Sequence, residues 1–280
     1  PWFIDGELVA WGWAFLHASD VGGRVPSSIS PTNSDIYQEG LQIPPVKLLR
    51  AGELNHDVMN ILTANSRTPD AISGDIQAML AALNAGRNRL NRIVAQHGVQ
   101  NVVQAQQDLQ AYSAIRARQV LRRIPDGVYQ FEDYLDDAAG SGLPVRLAIT
   151  ATFNDGSVHL DFTGSDAQVA AAINIPSHGD PHAWLTLRIL ALVCTLDKGV
   201  PLNAGLLASV TLFAPAGSLV NPHYPAAVGV RHAAAVRVND LLNGLLAQPL
   251  PDVMPAASGG TIIPLVIAEV AHNGREQNVQ

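Results

Sequence analysis

Residues 145–162 read VRLAITATFNDGSVHLDF, and this stretch decides the class of fold. On both sides of Asn154-Asp155-Gly156, large apolar residues alternate with polar or small ones, which is the period of a strand with one buried face. Asp-Gly is a common pair in the tight turn of a hairpin. The stretch therefore predicts a half-buried antiparallel hairpin, with His159 and Asp161 on its polar face.

Helical patterns flank this hairpin on both sides. Residues 68–123 predict two helices, because Thr68-Pro69 is a typical helix start and Gly98 is a typical stop between them. Asp180-Pro181 predicts the start of a third helix that is apolar almost all round and therefore buried, and apolar residues in 238–246 mark a fourth. Strands and helices mix without a regular βαβ rhythm. We therefore expect an α+β fold with mixed or antiparallel sheets, a helical hairpin and buried helices.

Changes of pattern divide the chain into three segments. Residues 1–66 combine a hairpin around Asp5-Gly6 with a long loop rich in Gly, Pro, Ser and Asn, which indicates a metal site and loop segment. Residues 67–125 are the helical hairpin, and residues 126–280 are the α+β core segment. The chain opens at Pro1 in a sheet-like run and ends in another strand-like run, so we expect a fragment of a larger subunit.

Composition limits the classes of function. With 280 residues, 48% of them hydrophobic and 15% charged, the chain can bury a sizeable core. Its net charge of −7 disfavours a nucleic-acid partner, because phosphate backbones attract basic surfaces. No apolar run approaches the length of about twenty residues that a membrane span needs. The one cysteine, Cys194, lies in an apolar run and is interpreted as a core thiol, and the lack of an intrachain disulfide favours a cytoplasmic location.

The stretch that suggests chemistry is HASDVGG, residues 17–23, because the motifs GxxxxGK[ST], GxSxG, HExxH and CxxC are all absent. Imidazole and carboxylate are ligands for zinc, manganese or iron, and glycines let a backbone approach a ligand closely. A metal needs three or four ligands, however, and no others lie nearby in the sequence. His17 and Asp20 therefore belong either to a metal or catalytic site or to a capped turn with a buried imidazole.

Two further groups of residues could carry chemistry. Glu39 lies beside a glycine and is followed by Lys47, a pair that could perform acid–base chemistry or form a surface ion pair. His178 and His182 flank the predicted start of the third helix. The positive end of a helix disfavours a cation, so this pair favours capping or contact with an anion over a metal. His232, at the start of the fourth helix, is a similar case.

Eight short stretches are specific when they are taken together and in order. They are HASDVGGRVPSS, SDIYQEGLQIPPVKLLRAGELNHDV, ANSRTPDAISGDIQAMLAALNAGRNRL, IPDGVYQFEDYLDD, VHLDFTGSDAQVAAAIN, GVPLNAGLL, APAGSLVNP and MPAASGGT. Together they resemble the hydantoinase B family, over nearly the whole chain. That family includes the B-type subunits of N-methylhydantoinase, the matching half of 5-oxoprolinase, ATP-dependent lactamases and the related subunit of acetone and acetophenone carboxylases.

The resemblance implies a division of labour between two subunits. An A-type subunit of the family binds ATP and Mg and phosphorylates the substrate or a co-substrate, and the B-type subunit holds a divalent metal, Zn, Mn or Fe, and completes the reaction. His17 matches a metal-ligand position of the family motif HxxDxGG. Asp20 matches the acid of that motif and would orient His17 or the attacking water, and Glu39 is a candidate proton shuttle. The family's other ligands would lie upstream of Pro1.

The function implied by the resemblance is that of a metal-binding subunit of an ATP-dependent amidohydrolase. Its substrate would be a small cyclic amide such as a hydantoin, 5-oxoproline or a lactam, and its partner would be a hydantoinase A-type subunit in a hetero-oligomer. Two alternatives stay open: a subunit of an ATP-dependent ketone carboxylase, which would need bicarbonate, and a non-catalytic scaffold, which would hold no stoichiometric metal. Ser27 stands where family members often carry glycine. The segment that begins with Arg231-His232 stands where they often carry a polar stretch. Substrate preference is therefore expected to differ from that of the best-known family members.

Overall fold

The computed structural model describes residues 1–138, 140–258, 268–270 and 276–279. These residues form two compact units. Unit 1 contains Pro1–Ile29, Glu39–Asp108 and the last two strands, and unit 2 contains Ser30–Gln38 and the chain from Leu109 to Ser258. The division of the sequence into three segments stays a prediction.

Runs of strands and runs of helices follow one another without a regular βαβ alternation, which confirms the α+β class. In chain order they are β1 (Trp2–Ile4), β2 (Glu7–Ala10), β3 (Leu49–Arg50), β4 (Glu53–Leu54), α1 (His56–Ala64), α2 (Pro69–His97), α3 (Val99–Leu121), β5 (Gly127–Leu135), β6 (Val145–Asn154), β7 (Ser157–Asp161), α4 (Ala183–Leu196), β8 (Val210–Phe213), α5 (Arg231–Ala247), β9 (Ala268–Val270) and β10 (Glu276–Val279). Short 3-10 helices cover Pro26–Ser28, Ile36–Glu39 and Ala204–Leu207. None of the described helices combines the length and hydrophobicity that crossing a membrane requires.

Unit 1 contains the first hairpin, the long helix α2 and the first half of α3. β1 and β2 pair antiparallel around Asp5-Gly6, whose φ angles of 50° and 84° are those of a tight hairpin turn, as predicted. Gly98, with φ of 79°, separates α2 from α3, so the two predicted helices and the break between them are confirmed, whereas their packing as a helical hairpin stays a prediction. Val9, Val94 and Val102 form a small buried cluster that joins the hairpin to these two helices.

A second cluster of unit 1 supports the segment that contains His17. Met59 of α1 packs with Ile72 and Ile76 of α2, and Ala18 and Leu54 lie against them. Each of these two clusters has three buried residues, and full burial of such a side chain contributes on the order of 1.5–3 kcal/mol.

Unit 2 is built on a four-stranded sheet with the order β5-β6-β7-β8. β5, β6 and β7 pair antiparallel, and β8 pairs parallel to β7 with Val158 opposite Val210. The β6–β7 hairpin turns at Asp155-Gly156 as predicted, with its apolar residues buried and His159 exposed. The parallel pair was not predicted, because its two strands are separated by α4 in the sequence.

The core of unit 2 lies between this sheet, α4, α5 and the end of α3. Leu147, Ile149 and Leu160 from the sheet are fully or almost fully buried with Leu185 of α4 and Leu241 of α5. Cys194 is partly buried and packs against the same core, in agreement with a core thiol. Small sheets and buried helices pack together because the apolar face of each strand or helix must be covered by another element.

The start of α4 corrects one detail of the sequence analysis. The helix begins at Ala183, and its N-cap is His182 rather than Asp180. His182 takes the cap position because its Nδ1 accepts a hydrogen bond from the backbone N–H of Trp184 at 3.2 Å. Asp180 lies exposed in the preceding turn, where its N–H donates to the Ser177 carbonyl at 3.2 Å.

Ion pairs and close packing hold the β6–β7 turn against the C-terminal end of α3. Asp155 accepts hydrogen bonds from Arg118 at 2.7 Å and from Arg122 at 2.8 Å. Gly156, with φ of 75°, lies so close that a Cβ atom there would be 2.6 Å from the Arg118 carbonyl oxygen. The turn therefore requires glycine for both backbone conformation and space.

Asn174 is a buried polar anchor between two loops of unit 2. Its Oδ1 accepts from the Val169 N–H at 2.9 Å, and its Nδ2 donates to the carbonyls of Val169, Ala171 and Ala227 at 2.8–2.9 Å. The side chain is fully buried. A buried amide with all these partners holds the loops at one fixed spacing.

Candidate functional site

Asp20 lies at the centre of the HASDVGG turn and is completely buried. Its Oδ1 accepts from the backbone N–H groups of Gly22 at 2.9 Å and Arg67 at 3.0 Å. Its Oδ2 accepts from the Ser27 N–H and from Nη1 of Arg67, both at 2.9 Å. Four donors from three separate stretches of chain thus converge on one carboxylate.

The ionised form of Asp20 is the one that these donors stabilise. Burial alone would raise the pKa of the carboxyl group, because a charge is poorly solvated inside a protein. The hydrogen bonds from the Arg67 and Gly22 backbone, with the Arg67 side chain and its charge, outweigh that effect and hold the pKa of Asp20 below its ordinary value. Asp20 is therefore an anionic centre that organises the turn.

Arg67, which precedes the N-cap residue of α2, connects the turn to the start of that helix. Its guanidinium donates to the Val25 carbonyl at 3.0 Å and to the Gly23 carbonyl at 2.8 Å, in addition to Asp20. The hydroxyl of Ser66 donates to the Asp20 carbonyl at 2.8 Å. Sequence analysis missed Arg67, because its partners lie more than forty positions away along the chain and no spacing rule links them.

The backbone of the turn adopts conformations that favour glycine. Gly22 and Gly23 have φ of 85° and 87°, and a Cβ atom on Gly22 would lie 2.6 Å from the Asn65 carbonyl oxygen. Ser27 and Ser28 also have positive φ, 63° and 64°. Ser27 is the position at which glycine is frequent in the resembling family, so serine here holds a conformation that glycine adopts more easily.

Ser28 closes the turn through its side chain. Its hydroxyl donates to the Gly22 carbonyl at 2.6 Å and accepts from the Val21 N–H at 2.9 Å. Together with the contacts of Asp20, these bonds tie Gly22, Ser27 and Ser28 to other residues of the turn, and Gly23 is held by Arg67. Such a network rigidifies the segment that follows His17.

His17 lies exposed at the beginning of the turn. Its ring meets Phe15 edge-on, with centroids 5.8 Å apart, and Phe15 stacks on Trp13 at 5.1 Å. The sequence left two alternatives, a metal or catalytic site or a capped turn with a buried imidazole. The position of Asp20 agrees with a capped turn, but the imidazole of His17 is exposed rather than buried. The structure therefore places a rigid anionic turn directly beside an accessible imidazole.

Glu39 is the last residue of the 3-10 helix Ile36–Glu39 and is half-buried. The two residues after it reach the turn: the Leu41 N–H donates to the Val21 carbonyl at 2.9 Å, and a Cβ atom on Gly40 would lie 2.7 Å from the same oxygen. Lys47 is exposed in the loop that follows. The backbone after Glu39 is thus held at Val21, within the HASDVGG stretch.

The donor set around this turn is limited. Within the part of the chain that the structure describes, no three His, Cys, Asp or Glu side chains gather so that they could hold a metal ion. His17 offers an accessible imidazole, and both oxygens of Asp20 already accept hydrogen bonds. The described residues therefore do not form a complete metal site, and the role of His17 as a ligand stays a prediction.

Comparison with known proteins assigns the chain to a family. It belongs to the Hydantoinase B/oxoprolinase family, whose pattern matches residues 1–280. It is 33% identical over 267 residues to a protein assigned as the B-type subunit of a D-/L-hydantoinase from Pseudomonas sp. strain NS671, across 92% of this chain and 45% of the relative. It is 31% identical to the beta chain of the caprolactamase of Pseudomonas jessenii, across 92% and 44%, and 28% identical to 5-oxoprolinase 1 of Arabidopsis thaliana, across 86% and 21%.

Solved structures support the same assignment. The ATP-dependent caprolactamase from Pseudomonas jessenii superposes with a TM-score of 0.75 at 29% identity, over 84% of this chain and 40% of that chain. The nucleotide-free structure of acetone carboxylase superposes with a TM-score of 0.73 at 18% identity, over 84% and 32%, which shows a shared fold. The chain spans less than half the length of each of these relatives.

Proposed function

We propose that this chain is part of the B-type subunit of an ATP-dependent enzyme that opens a cyclic amide. The observation that supports the proposal is the family match over residues 1–280, together with relatives named for hydantoin, caprolactam and 5-oxoproline. These three compounds share one bond, the amide C–N bond of a ring. We propose further that ATP and Mg are held by an A-type partner in a hetero-oligomer, because two of the relatives are named as single subunits of larger enzymes.

The proposed reaction breaks the ring at that bond. The partner transfers the γ-phosphoryl group of ATP to the ring carbonyl oxygen, which removes amide resonance and makes the carbon electrophilic. Water adds to this carbon, the C–N bond breaks, and the nitrogen leaves as an amine with one proton of the water. A second water hydrolyses the acyl phosphate and releases a carboxylate and phosphate. ATP thus activates the ring carbon toward water, which the amide resonance of a plain lactam prevents, and the acyl phosphate is hydrolysed after the ring has opened.

In the proposed function, the turn of residues 17–28 holds His17 in a fixed position. The buried carboxylate of Asp20 and the guanidinium of Arg67 hold the turn rigid, and His17 is presented at its accessible end. Rigid placement of a polar group reduces the ordering that the transition state requires. Because both oxygens of Asp20 accept hydrogen bonds from the protein, we propose that Asp20 positions His17 or the water indirectly, and that Glu39 serves as the proton shuttle.

The divalent metal that the family resemblance implies, Zn, Mn or Fe, would take His17 as one ligand in this proposal. When bound, such a metal lowers the pKa of a coordinated water and so supplies a nucleophile near neutral pH. The described residues do not complete its donor set. We therefore derive no step through the metal, and the proposal for this chain is limited to the position of His17.

The carboxylase alternative is supported by fold alone, since the acetone carboxylase structure is 18% identical. A ketone carboxylase would consume ATP only when bicarbonate is present, whereas a ring-opening hydrolase would not need bicarbonate. A non-catalytic scaffold would associate with the partner but hold no stoichiometric metal. These three outcomes are separable with one preparation of the complex.

The test uses the full-length protein purified with its A-type partner. ADP formation is measured with hydantoin, 5-oxoproline and caprolactam, with and without bicarbonate, and metal content is measured by mass spectrometry. We expect His17→Ala to lose bound metal and ring opening while its circular dichroism stays unchanged. The matched control is His56→Ala, which removes another exposed histidine of unit 1. Equal metal content in His17→Ala and wild type would refute the assignment of His17 as a ligand.

A further inference from the structure

A separate group of basic side chains gathers in unit 2, where the starts of α4 and α5 meet. His182 is the N-cap of α4, and Arg231 is the first residue of α5. The guanidinium carbon of Arg231 lies 5.6 Å from the ring centroid of Trp184, in the first turn of α4. His232 follows Arg231, and His178 lies four positions before His182 in the loop that leads to α4.

The orientation of His182 is set by a hydrogen bond. Its Nδ1 accepts from the Trp184 N–H at 3.2 Å, so in the neutral ring the proton resides on Nε2. That N–H is a donor on the side of the ring opposite to the helix cap. The carbonyl of His182 also accepts from the Thr186 hydroxyl at 3.0 Å, which fixes the residue at the helix start.

The loop before His182 is held in an uncommon conformation. His178 has φ of 57° and Gly179 has φ of 79°, so a non-glycine residue occupies left-handed backbone geometry. Ser177 fixes this turn, because its hydroxyl accepts from the Gly179 N–H at 3.2 Å and donates to the Val220 carbonyl. Backbone strain of this kind persists only where the surrounding structure enforces it.

The positive charge of this group is not balanced by nearby carboxylates. Among the residues that the structure describes, no Asp or Glu forms an ion pair with Arg231 or with His178, His182 or His232. The guanidinium instead donates to the Val228 carbonyl at 3.1 Å. Asp180 is the one carboxylate of residues 177–182, and its side chain is exposed. Arg231 is therefore a cation without a carboxylate partner among the described residues, in a chain with a net charge of −7.

Burial and the nearby positive charge lower the pKa values of the two imidazoles at the helix starts. Burial lowers the pKa of His182 first, and the positive charges of Arg231 and His178 lower it further. Burial and then Arg231 lower the pKa of His232 in the same direction. An anion placed among these groups would reverse the electrostatic contribution and favour protonation of both rings.

The start of α5 adds to the attraction for an anion. Val230 occupies the N-cap position of this 17-residue helix and makes no side-chain cap hydrogen bond. The helix dipole is positive at this end, while the backbone N–H groups of Arg231 and Ala233 already donate to the Val228 and Val230 carbonyls at 3.1 and 3.0 Å. Arg231 and His232 therefore lie at a helix end that itself favours negative charge.

We propose that His178, His182, Arg231 and His232 form a binding site for a small oxyanion, the phosphate or carboxylate group of a ligand. The planar guanidinium matches two oxygens of such a group, and the imidazoles donate to it. A metal does not suit this group, because the guanidinium repels cations and no three-ligand cluster is found in the described residues. The proposal does not depend on the reaction proposed above.

The test is isothermal titration calorimetry on the full-length protein in the complex in which it purifies. Inorganic phosphate and acetate are titrated separately, with ionic strength held constant by sodium chloride. We expect wild type to bind one more anion per chain than Arg231→Gln, or to bind it at least tenfold more tightly. The matched control Arg89→Gln, an exposed arginine of α2, should behave as wild type. Saturation by phosphate or by acetate identifies the group that the site recognises.

Two further measurements keep the test decisive. His178→Asn retains a residue that tolerates left-handed geometry, so it should fold even if Arg231→Gln does not, and it should weaken anion binding. Titration in two buffers of different ionisation enthalpy should show proton uptake on anion binding in wild type and less uptake in His178→Asn. Anion binding that is equal in wild type and in folded variants, or absent from both, would overturn the proposal.

Discussion

Replacement of Asp20 by asparagine tests the reasoning about the 17–28 turn most directly. The amide keeps one oxygen for the Gly22 and Arg67 N–H groups, but its NH₂ group faces the Ser27 N–H and Nη1 of Arg67. Two donors lose their acceptor, and each buried unsatisfied donor costs about 1–3 kcal/mol. Arg67 is 30% exposed, so water replaces part of its loss. We therefore expect Asp20→Asn to lower the free energy of unfolding by about 3 kcal/mol.

The assay is urea denaturation of the full-length protein followed by tryptophan fluorescence. Trp2, Trp11 and Trp13 lie in unit 1 and only Trp184 lies in unit 2, so the signal of this chain reports mainly on the unit that contains Asp20. The matched control is Asp252→Asn, an exposed aspartate for which we expect a change within about 0.5 kcal/mol. A loss below about 1 kcal/mol for Asp20→Asn would refute the view that this carboxylate organises the turn.

The contribution of Asp20 to the free energy of unfolding should also depend on pH. The folded protein holds the pKa of Asp20 below its unfolded value of about 3.9, so the unfolded state binds more protons in acid. This contribution to stability is complete well above pH 4 and is lost as the pH falls through the folded-state pKa. The difference in unfolding free energy between wild type and Asp20→Asn should therefore shrink below about pH 4. A difference that stays constant down to pH 2 (about two units below the unfolded pKa) would contradict this mechanism.

The other predictions concern unit 2. Gly156→Ala should lower the free energy of unfolding by at least about 2 kcal/mol, because it combines φ of 75° with a 2.6 Å approach to the Arg118 carbonyl. In thermal unfolding, Gly142→Ala should cost less, since its φ of 71° is similar and none of the described residues lies within 4 Å of the added Cβ atom. Asn174→Ala should lower the free energy of unfolding in urea by about 3 kcal/mol, since the Val169 N–H loses its acceptor and a cavity remains. The control is Asn154→Ala, at an exposed position. An equally small effect of both substitutions would contradict the role of Asn174 as an anchor. Together with His17→Ala and Arg231→Gln, these variants test each part of the structural interpretation.

Short-range signals predicted much of the fold. The hairpins at Asp5-Gly6 and Asp155-Gly156 and the break at Gly98 were predicted correctly, because turn and cap residues act on their own neighbours. The parallel partnership of β7 with β8 was not predicted, because its strands belong to different stretches of chain. The strand-like run predicted at the end of the chain lies largely outside the described residues, among which Ala268–Val270 and Glu276–Val279 are strands.

The candidate sites were less accessible to sequence reasoning. HASDVGG could be singled out from its residue types, but the donors to Asp20 come from Ser27 and Arg67, which no local pattern connects to it. The anion site proposed around His178 and His182 includes Arg231, which lies 5.6 Å from the Trp184 ring only because α4 and α5 pack together. Long-range contacts of this kind depend on tertiary packing, which residue spacing does not encode. The roles of His17, Asp20 and Glu39 in chemistry stay predictions.

The parallel pairing of β7 with β8 also orders the events of folding. The β6–β7 hairpin closes a two-residue turn, whereas every β7–β8 pair joins residues 52 positions apart, as in Val158 and Val210. Chain-closure scaling makes the longer loop about 3 kcal/mol more costly to close at the outset. The three antiparallel strands should therefore assemble first and β8 should add late, after α4 has folded. In pulse-labelling hydrogen exchange, amides of β6 and β7 that bond to each other would gain protection before those that bond β8.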